Sequence, residues 1–442
     1  MGLLGWSNLE ERFGSGSDYL GFLRDSQSAA QRLCHVLSNS RFLGDALNKS
    51  QESIRWLGDD DQLHARTRES LDVGCQAIIT RYDDSLADAA NMLRALRRHE
   101  IERIGIGWMT DVIDSAQALN GMTDVVDSII QASLQWAVHD TMRANGMDGP
   151  AAHLAVIGMG RYGGREVNFS SDADVIIMIA CGERANEVVE IFKEFPELID
   201  RMMLMGPVST EPKIELDMDL RPEGKNGPVV RSYASCEEYY RAWASVWERQ
   251  ALLRARFAAG DKELAEDFLA NVANPFRYPA ERLTDDQLQE IRRLKARMEA
   301  ERLPRGVRRD RHLKLGRGGL SDVEWTVQLL QLQHAHDIEA LQVNSTMQAL
   351  DVLVEHGLIV MEDAKILRDA WQMCTAARNG NYLWNGRANR ADILPDQHFD
   401  LSGIATYLGY DPDRGQQFEN DILSQMRKSR EVCERLFYGV EE

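Results

Sequence analysis

At 442 residues, the chain is long enough for two or three domains that each bury a core. Its 44% hydrophobic and 27% charged residues are ordinary for a soluble globular protein, and its net charge of −19 disfavours a nucleic-acid partner. The six cysteines form no CxxC pair, no uncharged run approaches the roughly 20 residues of a membrane span, and the N-terminus lacks the basic region of a signal peptide. We therefore expect a reduced, cytoplasmic protein with no membrane segment.

Residues 1–149 have the pattern of successive helices. One helix is predicted to begin after Asp83-Asp84-Ser85. Another is predicted to begin at a cap formed by Thr123-Asp124 and to end at Asn145-Gly146. The breaker Asp148-Gly149-Pro150 then marks a predicted domain boundary.

Residues 150–264 change to short β-branched runs separated by Gly and Pro. Strands are predicted at 153–158, 175–180 and 214–221, with a helix over 186–205 before the third. A further helix is predicted to carry Arg249 and Arg256 on one face, where a structural role is the more frequent one for an arginine.

Residues 265–442 are predicted to form a C-terminal helical bundle. Thr284 is expected to cap a helix whose inner face includes Ile291, and the strongest basic cluster of the chain follows over 305–319. Another helix is predicted to start at Ser321, where Ser321 and Glu324 fit a capping box in which the glutamate folds back onto the Ser321 amide. The bundle has predicted breaks at 379–381, 394–396 and 410–412.

A glycine-rich turn between the first two predicted strands is the centre of the functional prediction. The turn reads GMGRYGG at 158–164, and Asp172 and Asp174 follow at the head of the second strand. Because side chains alternate along a strand, these two carboxylates point the same way and repel each other unless a cation lies between them. Oxygen ligands of this kind suit Mg²⁺, and a glycine turn lets backbone N–H groups approach nucleotide phosphates.

The third predicted strand offers the further groups that a site for a metal and a triphosphate needs. Asp217 and Asp219 alternate with apolar residues there, and Asp217 is placed to supply a third carboxylate. Arg221 is equally compatible with a phosphate contact and with an ion pair to a neighbouring acid. Lys225 in the loop that follows is a weaker phosphate-binding candidate, because exposed lysines are common.

The same glycines also match the dinucleotide-binding fingerprint GxGxxG. That fold requires a full crossover helix before the next strand, whereas only the seven residues 165–171 separate Gly164 from Asp172. Two aspartates alone could also mark a solvent-exposed strand end without a function. The glycine turn and Asp217 favour a functional site over that interpretation. The order of glycine turn, short helix and carboxylate-bearing strand instead favours a polymerase-β-type nucleotidyltransferase core.

Four longer motifs carry a resemblance to a known family. They are GMGRYGGREVNFSSDADV, DMDLRPEGKNGPVVRS, YYRAWASVWERQALLRAR and HLKLGRGGLSDVEW. Together they resemble the glutamine synthetase adenylyltransferase family, whose members carry two nucleotidyltransferase halves in one chain. These motif sequences are most similar to the C-terminal, adenylylating half of actinobacterial family members. We therefore expect this chain to be that half alone, with Met1 not the natural start.

The resemblance implies an α+β fold with three regions. These are an N-terminal helical region (1–149), a polymerase-β-type nucleotidyltransferase domain (150–264) and a C-terminal helical bundle (265–442). It also implies metal binding by Asp172, Asp174 and Asp217, with Gly163 and Gly164 at the nucleotide phosphates. We add Ser171, Arg221 and Lys225 as nucleotide-binding candidates. The role of Asp219 stays open, because other members often have a basic residue there.

The implied function is the transfer of AMP from ATP to a tyrosine hydroxyl of glutamine synthetase, with release of pyrophosphate. The implied cofactor is Mg²⁺, with Mn²⁺ as the alternative, and a PII-type nitrogen signalling protein is an implied partner. Nucleic acid and membrane are not expected as partners. Two alternatives stay open: phosphorolytic removal of AMP from the same tyrosine, and a regulatory module that binds nucleotide without turnover.

Overall fold

The structure is a computed structural model that describes residues 2–14, 18–144, 146, 153–180 and 214–440. Its described part consists of many helices and one small mixed sheet, which places it in the α+β class. The described α-helices are Gly2–Phe13, Asp18–Asp25, Gln27–Asn39, Arg41–Leu47, Gln51–Trp56, Arg68–Arg81, Leu86–Met109, Ser115–Ala144, Gly160–Gly163, Tyr233–Ala242, Val246–Leu252, Lys262–Phe268, Asn274–Arg277, Asp285–Glu301, Leu320–His334, Thr346–Glu355, Met361–Asn385, His398–Thr406 and Gly415–Cys433.

The strands of the described sheet are β1 (His153–Gly158), β2 (Ala173–Ala180), β3 (Leu216–Asp217), β4 (Val230–Ser232) and β5 (Arg256–Gly260). They pair in the order β3-β2-β1-β5, and β4 pairs with β2 as well. The pairs β1–β2 and β1–β5 are antiparallel, whereas β2 pairs in parallel with both β3 and β4. The strand β2 is therefore central, and its first residues lie beside β3.

Both faces of the sheet are covered, which explains why β1 and β2 are continuously apolar. Leu154 and Val156 of β1 belong to the hydrophobic core formed with the N-terminal helices. Ala155 and Ile157, on the opposite face, pack with Tyr240 and other residues of the helices that follow β4. The sheet is thus fixed between two layers of helices.

A third hydrophobic core lies within the C-terminal helices, and the N-terminal core extends to Tyr382 and Leu383 of the helix Met361–Asn385. The three-region division of the chain remains a prediction. Among the helices of the described ranges, none combines the length and apolarity that a bilayer span requires. The cysteines within these ranges are free thiols, as predicted, and Cys181 lies outside them.

Several local predictions are confirmed. The first strand covers 153–158, and the helix Leu86–Met109 begins directly after Ser85, whose hydroxyl accepts a hydrogen bond from the Asp88 amide. Thr284 and Gln287 form the capping box of the helix Asp285–Glu301. The predicted helix over 186–205 and the breaker at 148–150 lie outside the described residues.

The cap predicted at Thr123-Asp124 is wrong, because the helix Ser115–Ala144 runs through both residues. The hydroxyl of Thr123 donates to the Leu119 carbonyl four residues earlier (2.8 Å), as threonines inside helices do. Asp124 instead pairs with Arg165 (2.7 Å), so its carboxylate has a tertiary partner rather than a capping role.

The break predicted at 379–381 is also wrong, because the helix Met361–Asn385 is continuous there. The side-chain oxygen of Asn379 accepts a hydrogen bond from the Nδ2 of Asn168 (2.7 Å). Asn381 donates to backbone carbonyls near residue 391, and Gly380 packs against Tyr407. Asparagine and glycine usually favour turns, but here tertiary hydrogen bonds and packing stabilise them within the helix.

Candidate active site

Parallel pairing of β2 with β3 brings two of the predicted metal ligands together. Asp174 lies directly opposite Asp217 in the register, and the Ala173 amide donates to the Glu215 carbonyl (2.8 Å). Residues directly paired across two strands present their side chains on the same face. Asp172 is exposed and directly precedes β2, so its place on the same face stays a prediction.

The glycine turn reaches the carboxylates through Gly160. The one-turn helix Gly160–Gly163 follows β1, and the Met159 amide donates to the Asp174 carbonyl (2.8 Å). Gly160 has φ +53°, and a Cβ added there would lie 2.1 Å from the Oδ2 of Asp174. The carboxylate therefore rests against a position that only glycine fills without a clash.

Gly163 and Gly164, predicted at the phosphates, are buried against the protein itself. A Cβ on Gly163 would lie 2.1 Å from the Arg254 carbonyl, and one on Gly164 would lie 3.2 Å from the Asn344 carbonyl. Their missing side chains allow the turn to pack closely on these two segments. Their phosphate role stays a prediction, and Gly160, which the sequence analysis did not single out, is the glycine that touches Asp174.

The electrostatic environment of Asp174 is unfavourable for a negative charge. The pKa of Asp174 is raised to about 7, mainly by burial and also by the carboxylates of Asp172, Asp217 and Glu324, whereas the Lys314 charge lowers it. A half-buried carboxylate crowded by like charges is typical of a site that a cation completes.

This crowding predicts a pH-dependent gain in stability for Asp174→Asn in metal-free protein. The folded pKa of Asp174 is about 7, above the ~3.9 of an unfolded aspartate. Ionisation of this side chain therefore lowers the free energy of unfolding of the wild-type protein as pH rises from about 4 to 7. Asparagine does not titrate, so the variant should be more stable by about 1–3 kcal/mol at pH 8 and by much less at pH 5. Urea unfolding in EDTA at both pH values measures this difference, and a gain equal at the two values would contradict it.

The third predicted strand is shorter than expected. It ends at Asp217, and the chain turns over 218–227 instead of continuing to Arg221. The Oδ1 of Asp217 accepts a hydrogen bond from the Asp219 amide (2.8 Å), which begins the turn. Strand alternation therefore does not place Asp219 and Arg221 beside Asp217.

The two basic candidates of this segment are engaged within it. The buried guanidinium of Arg221 donates to the carbonyls of Met218 (2.7 Å), Gly227 (2.9 Å) and Lys225 (3.1 Å), which holds the loop together. The exposed Lys225 pairs with Asp219 (3.1 Å). Phosphate binding by either residue stays a prediction, and the structure shows Arg221 bracing the loop.

The helix predicted to carry Arg249 and Arg256 is also shorter than expected. It ends at Leu252, and Arg256 belongs to β5, so the two arginines do not share a helix face. Arg256 forms a two-pronged ion pair with the buried Asp127 (2.9 Å for each nitrogen) and donates to the Tyr162 carbonyl (3.1 Å). Its role beside the glycine turn is structural, as weighed from the sequence.

The capping role predicted for Glu324 is wrong. The helix begins at Leu320 with Gly319 at its cap position, so Ser321 is already inside it and its amide donates to the Lys314 carbonyl (2.9 Å). The carboxylate of Glu324 instead pairs with the buried Arg161, the residue after Gly160. An ion pair between segments 163 residues apart has no local sequence signal, which is why the local motif was misleading.

The segment that leads into Asp172 is held by buried polar contacts. The Ser171 hydroxyl accepts a hydrogen bond from the Asn168 amide (3.0 Å). The side-chain oxygen of Asn168 accepts from Arg161 and Arg378 (2.9 Å each). Ser171 thus shapes the turn before β2, and its nucleotide contact stays a prediction.

The donor set fits Mg²⁺ or Mn²⁺ in kind, because it consists of carboxylate oxygens alone. Burial and the neighbouring carboxylates both raise the pKa of Asp174, and a bound cation would favour its ionised form. Across the described ranges, no three His, Cys, Asp or Glu side chains already form a ready-made ligand group. Metal binding by the three aspartates therefore stays a prediction.

Gly160→Ala is expected to disturb the site through contact as well as backbone strain. The variant should lose about 2–4 kcal/mol of unfolding free energy, because alanine disfavours a positive φ and its methyl group meets the Asp174 carboxylate. Gly357→Ala is the matched control: its φ is +67° and no atom lies within 4 Å of the added Cβ. Thermal or urea unfolding should show the control losing only about 1 kcal/mol. Equal losses would mean that the contact with Asp174 has no effect.

Comparison with known proteins assigns the chain to a family. Residues 30–271 match the family model described as glutamate-ammonia ligase adenylyltransferase. The match covers more than half of the chain and includes β1, β2, β3 and the three aspartates. The chain belongs to the glutamate-ammonia ligase adenylyltransferase family, which confirms the resemblance carried by its motifs.

Individual relatives agree with this assignment. A protein of Bifidobacterium longum (strain DJO10A) is 65% identical over all of this chain, one of Leifsonia xyli is 41% identical over 99% of it, and one of Mycobacterium marinum is 40% identical over 99% of it. Each is named bifunctional glutamine synthetase adenylyltransferase/adenylyl-removing enzyme. The chain spans 41%, 42% and 44% of the lengths of these three relatives.

A second family model matches the C-terminal helices. Residues 289–437 match the model described as GlnD PII-uridylyltransferase. The sequence analysis predicted a helical bundle here but no separate family likeness. Glu324 and Lys314, which act on Asp174, lie in this second matched region.

Proposed function

We propose that the chain transfers AMP from ATP to a tyrosine hydroxyl of glutamine synthetase. The observation that carries the proposal is the pairing of Asp174 with Asp217 beside Gly160, where burial and then the neighbouring carboxylates raise the pKa of Asp174 to about 7. Relatives at 40–65% identity are named for adenylylation of glutamine synthetase, which supports the substrate. The turn, the strand with two aspartates and the third aspartate on a later strand support a polymerase-β-type core.

Asp172, Asp174 and Asp217 would hold Mg²⁺ or Mn²⁺. Such an ion, when bound, supplies positive charge that stabilises the phosphate oxygens during displacement. The tyrosine oxygen attacks the α-phosphorus of ATP, a new P–O bond forms, and the bond to pyrophosphate breaks. A phenol has a pKa near 10, so its proton must be removed at neutral pH. We assign this step either to Asp217 as base, through the Oδ2 that remains after Oδ1 accepts the Asp219 amide, or to a bound metal ion, which would lower the pKa of the hydroxyl.

The regional organisation and the regulatory partner are part of the same proposal. We place the nucleotidyltransferase domain at 150–264, between the helical regions 1–149 and 265–442. The C-terminal helices match a model described as PII-uridylyltransferase, which supports a PII-type protein as partner. The net charge of −19 is consistent with a protein substrate rather than a nucleic acid.

Direction is the point that an assay decides. The chain is incubated with Mg²⁺, ATP labelled at the α-phosphate and unmodified glutamine synthetase, and label on a tyrosine of the synthetase supports transfer. The relatives' names also include adenylyl removal, so the parallel assay supplies adenylylated synthetase with inorganic phosphate. Release of ADP there, with no label transferred in the first assay, would reverse the proposed direction. Binding of ATP with no turnover in either assay would favour a regulatory module.

A further inference from the structure

Lys314 is a half-buried lysine with no partner among the described residues. It lies in the turn between the short helical segment Arg309–Arg311 and the helix Leu320–His334. Its ammonium makes no hydrogen bond or ion pair with any residue that the structure describes, whereas the buried Lys295 is paired with both Asp322 (2.6 Å) and Glu299 (3.1 Å). Among the described residues the Lys314 ammonium is therefore available to bind an anionic ligand.

The backbone around Lys314 is fixed on both sides. The Leu313 amide donates to the Asp392 carbonyl (2.8 Å), and the Leu320 amide donates to the Leu313 carbonyl (2.9 Å). The carbonyl of Lys314 itself accepts a hydrogen bond from the Ser321 amide (2.9 Å). The position of this side chain is therefore set by the fold.

Two series of contacts hold this turn against the carboxylate site. In the first, Glu324 in the same helix as Ser321 pairs with Arg161, the neighbour of Gly160. In the second, Asp392 pairs with Arg378, and Arg378 donates to Asn168 (2.9 Å), whose amide donates to Ser171. The first series ends beside Gly160, which lies against Asp174, and the second ends at Ser171, three residues before Asp174.

Electrostatics agrees with this placement. The Lys314 charge lowers the pKa of Asp174, and its effect is larger than that of Asp172, Asp217 or Glu324. It also lowers the pKa of Asp392, so the ammonium lies within electrostatic range of both carboxylates. The charges with the largest effects on Asp174 are thus three carboxylates, which raise its pKa, and Lys314, which lowers it.

We propose that Lys314 binds the phosphates of the nucleotide at this site. The inference rests on the proposed function and deepens it by adding a phosphate-binding residue from the C-terminal helical region. A triphosphate needs positive charge beyond a metal ion, and the sequence candidates Arg221 and Lys225 are engaged with their own loop. Lys314 offsets the crowded carboxylates without nucleotide and contacts phosphate oxygens when nucleotide is bound.

A purely structural role would give different binding data. Replacing Lys314 removes a positive charge near the metal ligands, so a cation alone should bind as well as before or more tightly. A phosphate ligand should bind more weakly, because it loses a charge-assisted hydrogen bond. A general loosening of the site would weaken both.

The test compares Lys314→Met and Lys314→Arg with Arg317→Met. Arg317 is an exposed cation in the same turn and pairs with no described residue, so it is the matched control. Mn²⁺ binding is followed by electron paramagnetic resonance, and Mg·ATP and adenosine binding by equilibrium dialysis. We expect Lys314→Met to raise the Kd of Mg·ATP by about 10- to 100-fold. The Kd of adenosine should stay within about 3-fold of wild type, and the Kd of Mn²⁺ should be similar or lower. Lys314→Arg should retain most of the affinity, and Arg317→Met all of it.

The possible outcomes distinguish failure of the Lys314 proposal from failure of the proposed function. Wild type that binds Mg·ATP, with Lys314→Met binding it equally well, overturns the inference and leaves the proposed function standing. Parallel loss of Mn²⁺ and Mg·ATP in Lys314→Met also overturns it, because that pattern marks a structural role. If wild type itself binds no Mg·ATP, the proposed function fails and the inference falls with it.

Discussion

Replacing Asp174 by Asn is expected to lower AMP transfer to glutamine synthetase by about 10³-fold or more. The side chain lies opposite Asp217 and against Gly160, where the proposed metal and nucleotide meet. An amide keeps the shape of the carboxyl group but loses the charge that binds the cation. Initial rates with labelled ATP, at saturating Mg²⁺, measure the loss.

The same variant is expected to fold at least as well as wild type, so lost activity cannot be ascribed to unfolding. Asp219→Asn is the matched control, since Asp219 lies two residues from Asp217 and its carboxylate pairs with the exposed Lys225. Its rate should stay within about 3-fold of wild type, as for a surface ion pair. Equal rates for wild type and Asp174→Asn would remove Asp174 from the proposed metal site.

Asp127→Asn is expected to reduce the free energy of unfolding by about 3–5 kcal/mol. The Asp127 carboxylate is buried in the helix Ser115–Ala144 and pairs with Arg256 of β5 and with Arg68 (2.9 Å). Without its charge, two partly buried guanidinium groups lose their shared counter-ion and repel each other. Urea unfolding monitored by tryptophan fluorescence measures the difference.

Asp140→Asn in the same helix is the control for this loss. Asp140 pairs with Arg143 at 2.7 Å, a distance similar to that of the buried pair, but both side chains are substantially exposed at 31% and 50%. Its variant should change stability by less than about 0.5 kcal/mol. A comparable loss in both variants would indicate that burial is not what makes the Asp127 contacts valuable.

The sequence predicted those parts of the structure that depend on neighbouring residues. The strand at 153–158 follows from its apolar run, and the caps at Ser85 and Thr284 follow from side chains that bond the next turn of backbone. The pairing of Asp174 with Asp217 could be anticipated because carboxylates at strand positions carry both a pattern and a chemical meaning. The family motifs could be identified because each is a continuous stretch of sequence.

Contacts between distant segments could not be predicted. The Glu324 pattern fits a capping box, yet its carboxylate pairs with Arg161, because a buried guanidinium offers a stronger partner than a helix amide. The Asn379–Asn381 segment has turn-forming residues, yet tertiary partners keep it helical. Gly160 could have been found from its place at the start of the turn that follows β1, where a positive φ is often needed.

The ion pair between Arg161 and Glu324 joins the two stretches that match different family models. One stretch supplies the aspartates, and the other supplies Glu324 and Lys314. Exchange of C-terminal helices between relatives, by recombination or by design, would therefore succeed only when the incoming piece carries a carboxylate that suits the resident arginine.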